Sequence, residues 1–263
     1  MQDGPRFLTS EDLNTSTTIK QETYGARGVT ADGRRYVYAS VGYVSGTTTF
    51  NPGLAFATPT AAANSTGLTI TAVGTGGQTT ANLQAGSTSL VITNGSTAVW
   101  QDEFGYLQII VNAGGTYNLK LKGNSAAVAT TGYITVSLSE PLPVGITQLI
   151  PGTDTVNLRY DPWSYVIPSL TEGKVIGVSQ LPLTAGTAAR SSTSTPGSYA
   201  WLQTDGPAFV GATSGTLGYP VGQDTSGTPG FVINKASGTT TEELGTFMTA
   251  EASSTAYVNL HIA

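Results

Sequence analysis

The sequence predicts an all-β protein, with antiparallel β-sandwich or β-barrel domains and an extended N-terminal arm. Three observations carry this. Short β-branched and aromatic runs recur at close intervals from Arg35 onward, and Gly, Asn and Pro punctuate them. No window of about ten residues shows an apolar stripe at helical spacing.

Taken in order, residues 1–33 read as the arm. They show little hydrophobic periodicity and mix Arg6, Glu11, Asp12, Lys20, Glu22 and Arg27 with Thr, Ser and Gly. Ser10-Glu11-Asp12 opens at most one helical turn, because nothing apolar follows at the required spacing. Two readings stand: a flexible tail, or an arm that orders against a partner and offsets its lost entropy with new contacts.

Residues 34–145 read as a first β domain, a sandwich or barrel. Its strand signals are Tyr36–Val41, Leu68–Thr71, Leu90–Thr93, Tyr106–Val111, Tyr117–Leu121 and Tyr133–Leu138. In the last of these Ile134, Val136 and Leu138 share one face and Thr135 and Ser137 the other, the alternation of a half-buried antiparallel strand. Asn94-Gly95, between Leu90–Thr93 and Thr97–Trp100, predicts a type I′ hairpin. Gly76-Gly77 and Gly114-Gly115 read as turns, not phosphate cradles, since no helix follows either pair.

Pro141, Pro143, Pro151, Pro162 and Pro168 then cluster, and residues 146–172 read as a Pro-rich connector because proline cannot donate to a ladder. Residues 173–263 read as a C-terminal β-barrel domain. It carries Val175–Val178, a low-complexity stretch over 184–197, Tyr199–Gln203, Phe231–Ile233, Leu244–Met248 and a closing run from Ala256 to Ile262.

Composition narrows the function. At 263 residues the chain can remove roughly 70% of its extended-chain surface from water, so a core needs no covalent staple. With no cysteine, disulfide scaffolds and thiol catalysis are excluded; with one histidine as well, so are the usual zinc ligand sets. The net charge of −5 argues against nucleic acid as a partner. Arg34-Arg35, the densest basic pair, reads as solvated beside Asp32. No segment approaches the roughly 20 consecutive apolar residues that span a bilayer, and the N-terminus lacks the pattern of a signal peptide. Yet the Thr/Ser/Gly-rich texture resembles extracellular β proteins, and a protein made in the cytoplasm of a host cell and used on the outside of a particle fits both.

The search for chemistry returns little. His261 faces away from Val258, Leu260 and Ile262 on a terminal strand, and no Gly-x-Ser-x-Gly motif accompanies it. The carboxylates of Asp102, Glu103, Asp154, Asp161, Asp205 and Asp224 form no calcium loop. Asp102 and Glu103 are adjacent, which suits a turn better than a glycosidase pair. The sequons at Asn14, Asn64 and Asn94 read as chance in a Thr/Ser-rich chain. No catalytic residue, cofactor site or metal site is expected, and the chain does not read as an enzyme.

The aromatics Trp100, Phe104, Tyr106, Trp163, Tyr165, Tyr199 and Trp201 lie near turn chemistry, which is core packing or, at an exposed rim, an interface. The candidate interface residues are Arg6, Phe7, Tyr24, Arg27, Arg34, Trp100, Trp163, Tyr199 and Trp201.

Several short motifs occupy the last ninety or so residues: Gly173–Val178, Tyr199-Ala200-Trp201-Leu202-Gln203 running into Asp205-Gly206-Pro207-Ala208, Gly218–Val221, Gly230–Ile233, Leu244–Thr246 and the final strand. Together with Trp100–Pro143 they resemble the capsid decoration (cement) proteins of tailed bacteriophages, of the trimeric β-barrel type. The stretch Ala185–Pro196 departs from the compact loop of that family. The resemblance implies a homotrimer bound to the major capsid protein at three-fold or quasi-three-fold positions of the head exterior, stabilising the shell, with no nucleic acid and no membrane as partner. The alternative is another virion adhesin or fibre-base protein with a carbohydrate-binding β-sandwich.

Overall fold

The computed structural model describes residues 5–58, 65–112, 114–168, 174–187, 195–224, 228–235 and 242–262. In chain order its strands are β1 (Arg6–Phe7), β2 (Arg27–Val29), β3 (Arg35–Ser40), β4 (Thr49–Phe50), β5 (Ala55–Ala57), β6 (Ser65–Thr69), β7 (Ser89–Thr93), β8 (Phe104–Ile110), β9 (Thr116–Asn124) and β10 (Tyr133–Leu138). There follow β11 (Thr155–Tyr160), β12 (Ile167–Pro168), β13 (Val175–Val178), β14 (Leu183–Thr184), β15 (Tyr199–Gly211), β16 (Pro220–Gln223), β17 (Val232–Asn234), β18 (Glu243–Phe247) and β19 (Thr255–His261). Among the described residues the one α-helix is a single short element, α1 (Ser10–Asn14). The chain is all-β, and nearly all of its pairings are antiparallel.

Two compact units emerge. One is drawn from Met1–Ala61, Pro162–Thr187 and Pro196–Ala263, and the other is built on Ala62–Asp161. These boundaries correct those read from the sequence. β3 leaves the predicted 34–145 domain and pairs with β15, from Tyr199↔Ser40 to Asp205↔Arg35, so it belongs with the C-terminal residues. The predicted connector 146–172 contains β11, an interior strand between β6 and β8. Pro151 and Pro162 flank β11 and none lies inside it, so its ladder is unbroken.

In the Ala62–Asp161 unit the strand order is β6-β11-β8-β9-β10-β7. A bridge between Ile70 and Ile92, with the Thr71 N–H donating to the Val91 carbonyl at 3.0 Å, brings the first and last strands together. The alternating faces of β8, β9 and β10 send Leu107, Ile109, Leu121, Ile134 and Val136 into one aliphatic core. The predicted Asn94-Gly95 hairpin is absent. β7 pairs with β10 instead, neither Asn94 nor Gly95 has positive φ, and the buried Asn94 amide donates to the carbonyls of Thr97 and Val128 at 3.0 and 2.7 Å. The side chain instead ties together two loop carbonyls that are 31 residues apart in sequence.

The other unit is organised by β15. Its first half pairs with β3 and its second half with β19, with a register irregularity between Gln203 and Asp205. β13 pairs with β5 along its length and meets β15 on its other edge at a single paired position, Val178↔Gln203. The main path of the sheet is β1-β2-β3-β15-β19-β18-β16-β17. Beside Phe209 the side-chain amide of Gln180 acts as a substitute strand: it accepts from the Phe209 N–H at 3.3 Å and donates to its carbonyl at 3.2 Å.

The segment expected to be an extended arm is folded onto its own unit from Pro5 onward; Met1–Gly4 lie outside the described residues. β1 runs parallel to β2, β2 pairs with β3, and Thr17 bridges Tyr199. Leu8 and Tyr24 are buried. Two glycines permit the docking. A Cβ on Gly28 would come within 2.4 Å of Leu8 Cδ1, and one on Gly25, at φ +71°, within 2.6 Å of the Trp163 ring. Amphipathic periodicity is a poor guide here, because the segment buries isolated side chains and not a face.

Candidate functional site

The nine candidate interface residues do not form one surface. Tyr24, Tyr199 and Trp201 meet in a buried aromatic cluster with Leu8, Tyr36 and Tyr38, and Trp163 packs against its edge. Tyr199 stacks between Tyr24 and Tyr38 at centroid distances of 6.2 and 6.3 Å, and Tyr38 meets Trp201 edge-on at 5.2 Å. Lys20 lies 3.9 Å above the Tyr24 ring. These rings form a core layer between the folded-back N-terminal segment and the sheet, which corrects their reading as interface residues. Burial raises the Tyr38 phenol above its ordinary pKa, and its oxygen accepts from the Gln21 N–H at 2.9 Å.

The charged candidates are mostly committed within the same unit. Arg6 bonds both Asp12, at 2.7 Å, and Glu22. Thr9 caps α1: its hydroxyl accepts from the Asp12 N–H, and Asp12 accepts in return from the Thr9 N–H at 2.8 Å. That backbone bond, the Thr9 hydroxyl and the nearby Arg6 together hold the Asp12 carboxyl below the usual carboxylate range. Arg34 pairs with Asp32 at 2.8 Å, and the Thr30 hydroxyl followed by Arg34 lowers the Asp32 carboxyl likewise. Phe7 is 78% exposed, Arg27 lines a cavity of this unit, and Trp100 lies half-buried in the other unit.

The surface that the sequence reading missed lies on the outer face of β15, β19 and β18. Phe209 is directly across from Tyr257, their rings 5.7 Å apart edge-to-face. The Met248 N–H donates to the Tyr257 carbonyl at 2.8 Å, and the Phe247 N–H donates to the Tyr219 carbonyl at 2.9 Å. Backbone pairing therefore sets Phe209, Tyr257 and Met248 side by side, each at least 40% exposed; Tyr219 and Leu217, also exposed, precede β16, and Tyr219 is across from the buried Phe247. Further along the same strands the face is charged. Arg35 pairs with Asp205 at 3.6 Å, Asp205 is across from His261, His261 lies 3.4 Å from Glu243, and Glu243 is 4.0 Å from Lys235. The face thus changes from a row of ionisable side chains to an apolar group within one strand length. Alternation in Ala256–Ile262 does place Tyr257 and His261 on the solvent side, as the sequence predicts; their neighbours across the sheet come from strands that no local pattern connects.

A second arrayed surface occupies the outside of the Ala62–Asp161 unit. Arg159, Tyr106 and Lys120 stand directly across from one another on β11, β8 and β9. Beside them runs an amide ladder: Asn157 donates to Gln108 at 2.8 Å, Gln108 donates to Asn118 at 3.1 Å, and Asn157 accepts from the Gly67 N–H at 2.8 Å. Among the described residues no group of three or more His, Asp or Glu side chains is arranged to hold a metal ion, and no helix is long and apolar enough to cross a membrane. Comparison of the chain with protein-family models, with curated proteins and with solved structures finds no match.

Proposed function

We propose that this protein is a structural component of a virion, a decoration protein that binds the exterior of a phage head at three-fold or quasi-three-fold positions and stabilises it. It acts by binding and not by catalysis. The supporting observation is the exposed apolar group Phe209, Tyr257 and Met248, with exposed Tyr219 and Leu217 preceding β16, on a face that also carries Arg35, Asp205, His261, Glu243 and Lys235. Apolar patches rimmed by polar groups are the usual mark of protein contact surfaces. Rigid antiparallel strands present the patch without further ordering entropy. A homotrimer formed through this face, seated on the major capsid protein, uses it fully.

Two measurements test the proposal. Light scattering on the purified chain is expected to give a trimer mass, lost in Tyr257→Ser combined with Phe209→Ser. Added to undecorated, expanded heads, the protein is expected to bind stoichiometrically and raise their melting temperature. A monomer that leaves head melting unchanged would falsify the proposal.

A second reading, a carbohydrate-binding virion adhesin, draws on the Arg159–Tyr106–Lys120 row and its amide ladder, since an exposed ring flanked by hydrogen-bonding groups suits a sugar. Glycan binding that disappears in Tyr106→Ala, with no binding to heads, selects it over the first.

A further inference from the structure

Independently of either assembly reading, the unit containing β15 encloses a cavity of about 670 Å³. It opens where β13 leaves β15 and β19 takes its place: Val178 pairs with Gln203, but two residues on Asp205 pairs with His261, and the Ile262 N–H donates to the Thr204 carbonyl at 2.9 Å. Trp163, Ile176 and Ile262 supply much of its apolar wall. Three cations line it as well, Arg27, Arg35 and Lys174, and none of the described lining residues is acidic. In a chain with 16 acidic and 11 basic residues this is a marked local excess of positive charge. Arg35 and Lys174 are drawn toward Asp205 and Glu242 at 3.6 and 3.9 Å, both outside the lining, whereas Arg27 has no ion pair among the described residues.

We infer that this cavity binds a small amphipathic anion, an alkyl or aryl body carrying one carboxylate or sulfonate. The apolar wall takes the body, and Arg27 takes the head group with a geometry that matches a carboxylate in bidentate fashion. The volume lies within the range of about 300–1,000 Å³ typical of small-molecule sites. Cationic and neutral ligands of the same shape are selected against, since they leave Arg27 without a partner.

The test is calorimetric titration of the full chain with dodecanoate below its micelle concentration, with dodecyltrimethylammonium as the ligand of equal tail and opposite charge. Saturable one-site binding of dodecanoate is expected, weaker by about ten-fold or more for the cation and in Arg27→Glu, and weakened less in Arg27→Lys, which keeps the charge but not the bidentate fork. Arg27 is exposed, so these variants are expected to keep the fold, which circular dichroism checks. Equal binding of the two head groups, an Arg27→Glu variant that binds like the parent, or no saturable binding at millimolar dodecanoate would each overturn the inference. None of these outcomes bears on trimer mass or head melting, so the assembly proposal stands or falls separately.

Discussion

The two units are built from similar strands by opposite routes. The described core of the Ala62–Asp161 unit comes from one run of chain and is almost wholly aliphatic, filled by the inward positions of alternating strands. The other unit gathers three separated segments, and beside its aliphatic clusters it carries an aromatic layer of Tyr24, Tyr36, Tyr38, Tyr199 and Trp201. The difference teaches where stability is concentrated. A continuous run can close its sheet through neighbours in sequence, whereas the discontinuous unit depends on a few long-range contacts that each join distant segments.

The largest expected effect follows from the N-terminal segment. Removing residues 1–33 deletes β1, β2 and α1 and uncovers the rings beneath Leu8 and Tyr24. We expect the discontinuous unit to lose its amide protection while β8, β9 and β10 keep theirs. Residue-resolved hydrogen exchange reads this directly. Retained protection of β3 and β15 in the truncated chain would show the segment to be dispensable.

Single core truncations sharpen the contrast. Trp201→Ala, which removes the ring edge-on to Tyr38 at one end of the aromatic layer, is expected to cost about 3–5 kcal/mol, and Leu107→Ala in the aliphatic core about 2–5 kcal/mol. Their exchange signatures are expected to separate, each loosening its own unit. Smaller again is Gly28→Ala. The added methyl displaces Leu8, and overpacking of this kind costs typically about 1–3 kcal/mol. If Gly28→Ala leaves denaturant midpoints unchanged, the Leu8 contact is looser than its geometry indicates.

The same contrast explains what the sequence reveals. Strands with clean alternation, such as Tyr133–Leu138 and Thr255–His261, are legible because one face is buried and the other is wet. The all-β class follows from many such runs. The domain boundaries do not, because the partner of β3 lies some 160 residues away and pairing carries no local mark. The proline argument fails at β11 because prolines that flank a strand and prolines that interrupt one look alike in composition. Asn94-Gly95 misleads because the asparagine side chain serves the core instead of the turn. As for the surface, the outward position of Tyr257 is legible, but a row made by Phe209, Tyr257 and Met248 needs the strand register. Nearness to a turn does not separate a core ring from an interface ring, so among the aromatic candidates it points to buried Tyr199 and Trp201 as readily as to an exposed one.

The smallest expected effect is an acid response confined to one side of the comparison. Asp12 and Asp32, both in the N-terminal segment of the discontinuous unit, have carboxyls held below their ordinary range. A depressed folded pKa means that the folded state favours the charged form more than the unfolded chain does. Its contribution is therefore complete above the unfolded carboxylate value, about 3.9 for Asp, and is lost as pH falls through the lower folded value. Both are surface groups, so the loss is modest and is screened by salt. Thr9→Ala removes the hydroxyl that caps α1, at a cost of about 1 kcal/mol near neutral pH. It also removes one of the bonds that hold Asp12 charged while leaving the Thr9 N–H in place. Urea midpoints measured from pH 6 down to about pH 2.5 are expected to show a shallower acid decline in Thr9→Ala than in the parent, because less of the Asp12 stabilisation remains to be lost. Parallel declines at every pH would mean that the cap stabilises the helix without coupling to the carboxylate.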